Sequence, residues 1–159
     1  MGRSFAEKDR TKWGQDLLMR YLASSLLLIC AVSLHAQANM PDFVTKGLTT
    51  YQKTGGKEAM AVWLKGSALE TDTTTQMNLT GGLAQLEVVY GKMVGFEPVR
   101  TVSVAPSVLR VYVVAKFERG PVFFAFECYR AEKDWIATFI DFNTKSSSIL
   151  PKDILEGGR

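Results

Sequence analysis

The apolar residues between positions 41 and 95 recur at intervals of three and four residues, which is the spacing of one helix face. Gly55-Gly56 and Gly66 interrupt this pattern, so we predict three helices. The first starts at Pro41, the second covers about 57–65, and the third is capped from the polar stretch 71–75. The positions predicted to lie on the apolar faces of these helices are Val44, Leu48, Tyr51, Ala59, Met60, Trp63, Leu64, Leu79, Leu83, Leu86 and Tyr90.

Two adjacent glycines, Gly81 and Gly82, lie inside the third predicted helix. Each costs about 1 kcal/mol of helix stability relative to Ala. Such a pair indicates close packing against another element or a kink.

After Glu97 the pattern changes to β-branched and aromatic residues. We predict four strands, at about 97–105, 107–118, 121–131 and 134–143. The loops between them are short, which favours antiparallel pairing of consecutive strands. Helices followed by strands indicate an α+β fold in which the helices pack on one face of the sheet.

The faces of the last two strands follow from their alternation. The third strand is apolar on both faces, so we expect the two C-terminal strands to be central or covered on both sides. In the fourth strand, the residues predicted to share one face are Trp135, Ala137 and Phe139, and those predicted to share the other are Ile136, Ile140 and Phe142.

Ahead of this domain, the segment Tyr21–Leu34 is uncharged and rich in Leu, Ala and Ser. A helix of that length measures about 21 Å, which is short for a bilayer core of about 30 Å. Ala36 and Ala38 follow as the two small residues of a signal-peptide cleavage site. We therefore expect residues 1–38 to be a cleavable signal peptide. The alternatives are a buried helix of the domain and an uncleaved anchor.

Cleavage leaves residues 39–159, the size of one ordinary domain, exported to the periplasm or secreted and without a stable membrane anchor. Residues 1–20 are long and poor in net charge for the start of a signal peptide. A start at Met19 gives a more compact signal, and we expect translation to begin there.

The predicted cleavage removes His35, the only histidine, and Cys30, one of the two cysteines. Histidine is the side chain that most readily transfers protons near neutral pH, so Ser-His-Asp and Cys-His sites are excluded for residues 39–159. We expect no metal and no cofactor, because the sequence has no zinc-ligand cluster, calcium loop or nucleotide-binding motif. The 14 Lys and Arg that remain against 13 Asp and Glu give a net charge of +1, so we expect no nucleic-acid binding.

The strand half, from Arg110 to Thr144, reads RVYVVAKFERGPVFFAFECYRAEKDWIATFIDFNT. A strand ending in Phe-x-x-Gly-Pro leads into an aromatic strand and then into a last strand that carries Trp135. With the three predicted helices before it, the segment of about 41–150 resembles the NTF2-like (cystatin-like) α+β roll. The resemblance implies three helices packed on a curved four-stranded antiparallel sheet, a pocket between sheet and helices, and frequent dimers through the outer sheet face. The family contains enzymes and non-enzymes, so the fold does not decide the function.

Enzymes of this family transfer protons inside the pocket, and the lack of histidine removes the type that pairs His with Asp. An isomerase type pairs a carboxylate base with Tyr and a protonated Asp. Here Asp141, Glu127 and Tyr112 are the candidates, although none of them maps onto the family's catalytic positions. A carboxylate in an apolar pocket has a raised pKa, which suits general acid–base catalysis. The alternative is that Asp141 faces solvent at a strand end and Glu127 lies on an exposed or dimer face.

The strand half contains more aromatic residues than one face of a small sheet requires. One explanation is a core with a covered second face, and the other is an apolar ligand pocket. The candidates for lining such a pocket are Tyr90, Phe124, Phe126, Trp135 and Phe139. We expect Cys128 to be a small buried hydrophobic residue. A reactive thiol needs nearby positive charge, and Arg130 is the only cation close to Cys128 on its face of the strand.

The sequence is compatible with three functions. The first is an exported non-enzymatic domain that binds a small apolar ligand or a protein partner. The second is a pocket-carboxylate enzyme of isomerase or lyase type that uses Asp141 or Glu127 with a Tyr. The third is a structural subunit that forms a homodimer through its sheet face. The enzyme requires one of the two carboxylates to point into a cavity within hydrogen-bond reach of a Tyr hydroxyl.

Overall fold

The computed structural model describes residues 40–130 and 132–157. The predicted signal peptide and the expected start at Met19 lie outside the described residues. The described part of the chain is an α+β fold. Its elements, in chain order, are α1 (Asp42–Thr54), α2 (Gly56–Leu64), a 3₁₀ helix (Ala68–Glu70), α3 (Thr73–Tyr90), β1 (Met93–Ala105), β2 (Val108–Phe117), β3 (Gly120–Arg130), β4 (Trp135–Asn143), α4 (Ser146–Ile149) and α5 (Lys152–Leu155).

The four strands form one antiparallel sheet in the order β1-β2-β3-β4, as the short loops predicted. β1 begins at Met93, earlier than the predicted start near 97, because Met93 already pairs with Phe117 at the far end of β2. β4 lies at an edge of the sheet and β3 lies between β2 and β4.

The core lies between the long helices and one face of the sheet, which we call the inner face. Trp63 of α2 is fully buried there, and its ring centroid lies 6.1 Å from that of Phe124 and 5.2 Å from that of Phe126. The indole N–H of Trp63 donates to the Val44 carbonyl at 3.2 Å, so its polar atom is satisfied inside the core. Gly47 of α1 lies directly against the indole, where a Cβ would collide. One tryptophan thus joins α1, α2 and the sheet.

A bulge at Thr138 changes the face assignment of β4. Glu127 pairs with Phe139 and Cys128 pairs with Ala137, so Thr138 is an extra residue in β4. An extra residue reverses the alternation beyond it. The predicted grouping of Phe139 with Trp135 and Ala137 is therefore wrong. The core contacts of β4 come from Trp135, Ala137, Ile140 and Phe142, and Phe139 lies on the opposite face.

Two short C-terminal helices that the sequence did not predict cover part of the opposite face of the sheet, which we call the outer face. Ile149 of α4 packs with Tyr112 and Ala125 in a second, smaller cluster. Asp153 of α5 forms an ion pair with Arg100 of β1. The part of the outer face around Tyr129 and Phe139 is open to solvent.

Candidate functional site

Side chains fill the space between the helices and the inner face, where the resemblance implies a pocket. Phe124 and Phe126 are both fully buried, with ring centroids 6.0 Å apart and planes nearly parallel at 11°. Trp63 packs against both rings. In the described part of the chain, these aromatic residues therefore form a packed core, and none of them lines the groove beside α3 or the recess beside α1.

The other three predicted ligand residues lie apart from each other. Tyr90 is half-buried at the end of α3 and packs against the core. Trp135 lines a surface recess of about 450 Å³ beside the start of α1. Phe139 is 45% exposed on the outer face. The structure does not bring the five predicted residues together in one site.

The predicted acid–base residues lie on the outer face of the sheet, away from α1, α2 and α3. Asp141 is exposed, and its Oδ1 accepts a hydrogen bond from the Phe142 backbone N–H at 2.8 Å. The Glu127 side chain is 40% exposed and its Oε2 lies 3.9 Å from the guanidinium of Arg110. Tyr112 is buried beneath α4. Among the described residues, neither carboxylate is enclosed and no Tyr hydroxyl donates to either, so this arrangement lacks the geometry of the isomerase type.

A partly buried polar contact that the sequence did not reveal joins α1, α2 and α3. The Glu87 Oε1 accepts the Gly56 backbone N–H at 3.0 Å, at the N-terminus of α2. The positive end of a helix dipole favours a carboxylate there. The Tyr51 hydroxyl donates to the Leu83 carbonyl at 3.4 Å, and burial together with the neighbouring Glu87 carboxylate raises the pKa of Tyr51 far above its usual range. Both side chains are engaged by backbone groups, so the contact holds the three helices together.

Cys128 is completely buried on the inner face. Burial, with a smaller contribution from the Glu127 carboxylate, raises the pKa of its thiol to about 12. Arg130 lies over the ring of Trp135, at 4.8 Å from the centroid. The thiol thus has the surroundings of a small buried hydrophobe and not those of a nucleophile.

The solvent side of α3 differs from the solvent sides of α1 and α2 in its lack of charge. Asp72 caps this 18-residue helix by accepting the Thr75 backbone N–H at 3.0 Å. The only charged residue within α3 is Glu87, which is occupied at the N-terminus of α2. Every exposed residue of α3 is therefore uncharged, whereas α1 and α2 expose Lys46, Lys53 and Lys57.

Four small or apolar residues form a line along this surface, which we call the α3 stripe: Met77, Gly81, Ala84 and Val88. Their spacing places them on one face of the helix, opposite the buried Leu83. Met77 is 68% exposed and Val88 is 78% exposed. Exposed helix faces normally carry charged residues, while the centres of protein interfaces are poor in charge.

A groove of about 580 Å³ runs between α2 and the first half of α3. Met60 and Leu64 of α2 and Met77 of α3 supply its apolar surface, and Lys57 and Glu70 are among its polar residues. Ala61 lies on the α2 side of the groove and Gly81 on the α3 side. The groove therefore borders the α3 stripe.

Within 40–130 and 132–157, no three acidic or cysteine side chains come together in a way that would hold a metal ion. None of the helices in the described part of the chain is long and apolar enough to cross a bilayer.

Comparison of the chain with protein-family models, with curated proteins and with solved structures finds no match in any of the three.

Proposed function

We propose that this chain is an exported, non-enzymatic NTF2-like domain that binds a protein partner through the solvent side of α3. The observation that carries the proposal is the absence of charge from every exposed residue of that 18-residue helix. An exposed helix that does not meet a partner is stabilised and kept soluble by charged side chains. The core of an interface is instead poor in charge and rich in apolar contacts, as the α3 stripe is.

The NTF2-like assignment draws support from the order of the elements. Three long helices precede a four-stranded antiparallel meander, and a core joins those helices to one face of the sheet. In this domain Trp63 of α2 is buried between the helices and the inner face, where it packs against Phe124 and Phe126. A filled interior favours a protein partner over a small ligand held between sheet and helices.

The proposal of a non-enzymatic role rests on the positions of the carboxylates. General acid–base catalysis needs a carboxylate held in a pocket near the proton that it moves. Asp141 is exposed, and Glu127 lies beside Arg110 on the outer face.

Export is proposed from the signal-peptide pattern of residues 1–38. N-terminal sequencing of the protein recovered outside the cytoplasm of its own cells tests it. We expect the chain to begin at Asn39, and a peptide from residues 1–38 in that protein would contradict cleavage after Ala38.

Photo-cross-linking in the native host tests the binding surface. A photoreactive amino acid is placed at Ala84, in the α3 stripe, or at Lys53, an exposed position on α1 that serves as the control. We expect irradiation to join a protein to position 84 and to leave position 53 without an adduct. The proposal is wrong if position 84 gives no protein adduct, or if both positions give the same adducts.

A second candidate function is a homodimer through the open part of the outer face. Tyr129 is 39% and Phe139 is 45% exposed there, and the buried Nε of Arg110 has no hydrogen-bond partner among the described residues. Phe139→Glu would place a charge in that surface and abolish such a dimer. A dimer that persists in this variant would exclude the outer face.

A further inference from the structure

The α3 stripe is symmetric along the helix. Its residues Met77, Gly81, Ala84 and Val88 follow one another at intervals of four, three and four positions. Reversing the direction of the helix gives the same intervals. Two identical helices that run antiparallel therefore place Gly81 level with the partner's Ala84, and Met77 level with the partner's Val88.

We propose that the protein bound by α3 is a second copy of this chain, paired antiparallel about a two-fold axis that crosses the solvent side of α3 at the level midway between Gly82 and Leu83. This inference rests on the proposed function, since it names the partner of the same surface. A two-fold interface uses one patch twice, so the patch must be complementary to its own reverse. Any helix face has residues at such intervals, so the requirement is met by size: each small residue of the stripe lies opposite a small one, and each large residue opposite a large one.

The absence of charge also favours a second copy. A patch with charge of one sign repels its own image near a two-fold axis, whereas an uncharged patch does not. The exposed residues beside the stripe include Asn78 and Gln85, whose amides both donate and accept hydrogen bonds. In the antiparallel pair, Asn78 of one copy and Gln85 of the other lie within about 3 Å of each other along the helix direction, so these two amides can pair across the interface.

Gly81 supplies an independent observation. A Cβ built on Gly82 would lie 2.8 Å from the ring of Phe142, so packing inside the domain requires that glycine. A Cβ built on Gly81 meets nothing within 4 Å. The domain itself thus gives no packing reason for a glycine at position 81. A second helix level with Gly81 gives one, because two helices approach most closely where their facing residues are small.

The pairing is expected to be weak and dependent on concentration. One helix of 18 residues is about 27 Å long. A seam of this length buries less than the roughly 800 Å² per partner of a standard stable interface. The dimer should therefore dissociate on dilution.

Cysteine cross-linking tests both the partner and the direction of pairing. The protein is expressed from its full coding sequence, with processing left to the host, as two variants, Met77→Cys and Val88→Cys. A short bis-maleimide is added to each variant alone and to their mixture. Positions 77 and 88 of one copy are separated by about 16 Å along the helix, so antiparallel pairing brings position 77 close only to position 88 of the other copy. The unaltered chain, which carries Cys30 and Cys128, gives the background.

We expect the mixture to give several-fold more cross-linked dimer than either variant alone. Adding Ala84→Glu to both variants should abolish the product, because two like charges would meet near the axis. Adding Ala61→Glu, the same change on the α2 side of the groove, should leave it unchanged.

Three results would overturn the inference. Strong cross-linking of each variant alone would mean parallel or unspecific contact. Loss of the product with Ala61→Glu but not with Ala84→Glu would mean that the groove holds the partner. No product in the mixture would remove the second copy, and the photo-cross-linking at position 84 would then decide separately whether another protein binds there and the proposed function stands.

Discussion

The Glu87 side chain helps to hold three helices together, and no local sequence pattern indicates this role. It follows Gly56 by 31 residues and accepts the backbone N–H at the start of α2. Local capping patterns compare residues within one turn, so this cap has no signal in the sequence. Its neighbour Tyr51 was predicted as a core residue, and it is 3% exposed.

Replacing Glu87 should therefore weaken the fold by the amount of a lost helix cap. We expect Glu87→Ala to lower the free energy of unfolding by about 1 kcal/mol, the usual cost of removing an N-terminal cap. Urea denaturation measures the change. Gln85→Ala, on the exposed side of the same helix, is the control and should be close to neutral in dilute protein, where the proposed α3 pairing is dissociated. Equal effects of the two variants would contradict the capping role.

Cys128 makes the fold sensitive to alkali. The pKa of its thiol is raised by burial from the ordinary 9.0 to about 12. Above pH 9 the unfolded chain loses this proton while the folded chain keeps it. The stability contributed by the protonated thiol is thus fully present below pH 9 and is lost as the pH rises toward 12.

We expect Cys128→Ala to reduce the decline in stability across that range. Burial of the Tyr51 hydroxyl also lowers the stability at higher pH. This effect is the same in the unaltered protein and in Cys128→Ala. Urea unfolding at several pH values between 7 and 11 measures the two slopes (about 1.4 kcal/mol accompanies each pKa unit of difference). Parallel slopes for the two proteins would contradict the raised pKa of Cys128.

At the scale of elements, the two adjacent glycines of α3 have different roles, one inside the domain and the other at its surface. The sequence predicted close packing or a kink for the pair, and the structure shows that Gly82 packs closely against Phe142. Gly81 lies in open space within the same uninterrupted helix.

Alanine at each glycine should therefore change stability in opposite directions. Gly81→Ala should raise the free energy of unfolding of the dilute protein by about 0.5–1 kcal/mol, because Ala is the better helix former and meets no obstacle. Gly82→Ala should lower it, because its methyl group collides with the Phe142 ring. Thermal denaturation of both variants at low concentration measures the difference. Destabilisation by Gly81→Ala would show that the solvent side of α3 is packed within the monomer.

β4 shows where alternation along a strand fails as a predictor. The residues before Thr138 followed the predicted faces, and the bulge then moved Phe139 to the outer face and Ile140 and Phe142 to the core. A bulge adds a residue without changing composition, so hydrophobic pattern alone does not reveal it. The short helices α4 and α5 were missed for a related reason, since four residues are too few to show a helical period.

For the whole molecule, the sequence predicted the α+β arrangement and the antiparallel order of the strands, because these depend on periodicity and loop length. It did not predict whether the interior is open or filled. That depends on whether Trp63 of α2 reaches Phe124 and Phe126 of β3, which is a contact between elements far apart in the chain. The surface of α3 could be predicted only in part, because the lack of charge is visible in the sequence while the direction of the stripe requires the packed helix.

Because the interior is filled, we expect the binding site on the surface of the domain. Packing within the domain does not explain why the solvent side of α3 lacks charge. Sedimentation equilibrium of the protein expressed from its full coding sequence, over about 1–100 µM, tests the proposed α3 pairing most directly, because a small interface associates in this range. We expect the average mass to rise from one copy to two as the concentration increases, and Ala84→Glu to stay at the mass of one copy throughout. A single-copy mass at every concentration for the unaltered protein, or equal association of Ala84→Glu, would contradict this pairing.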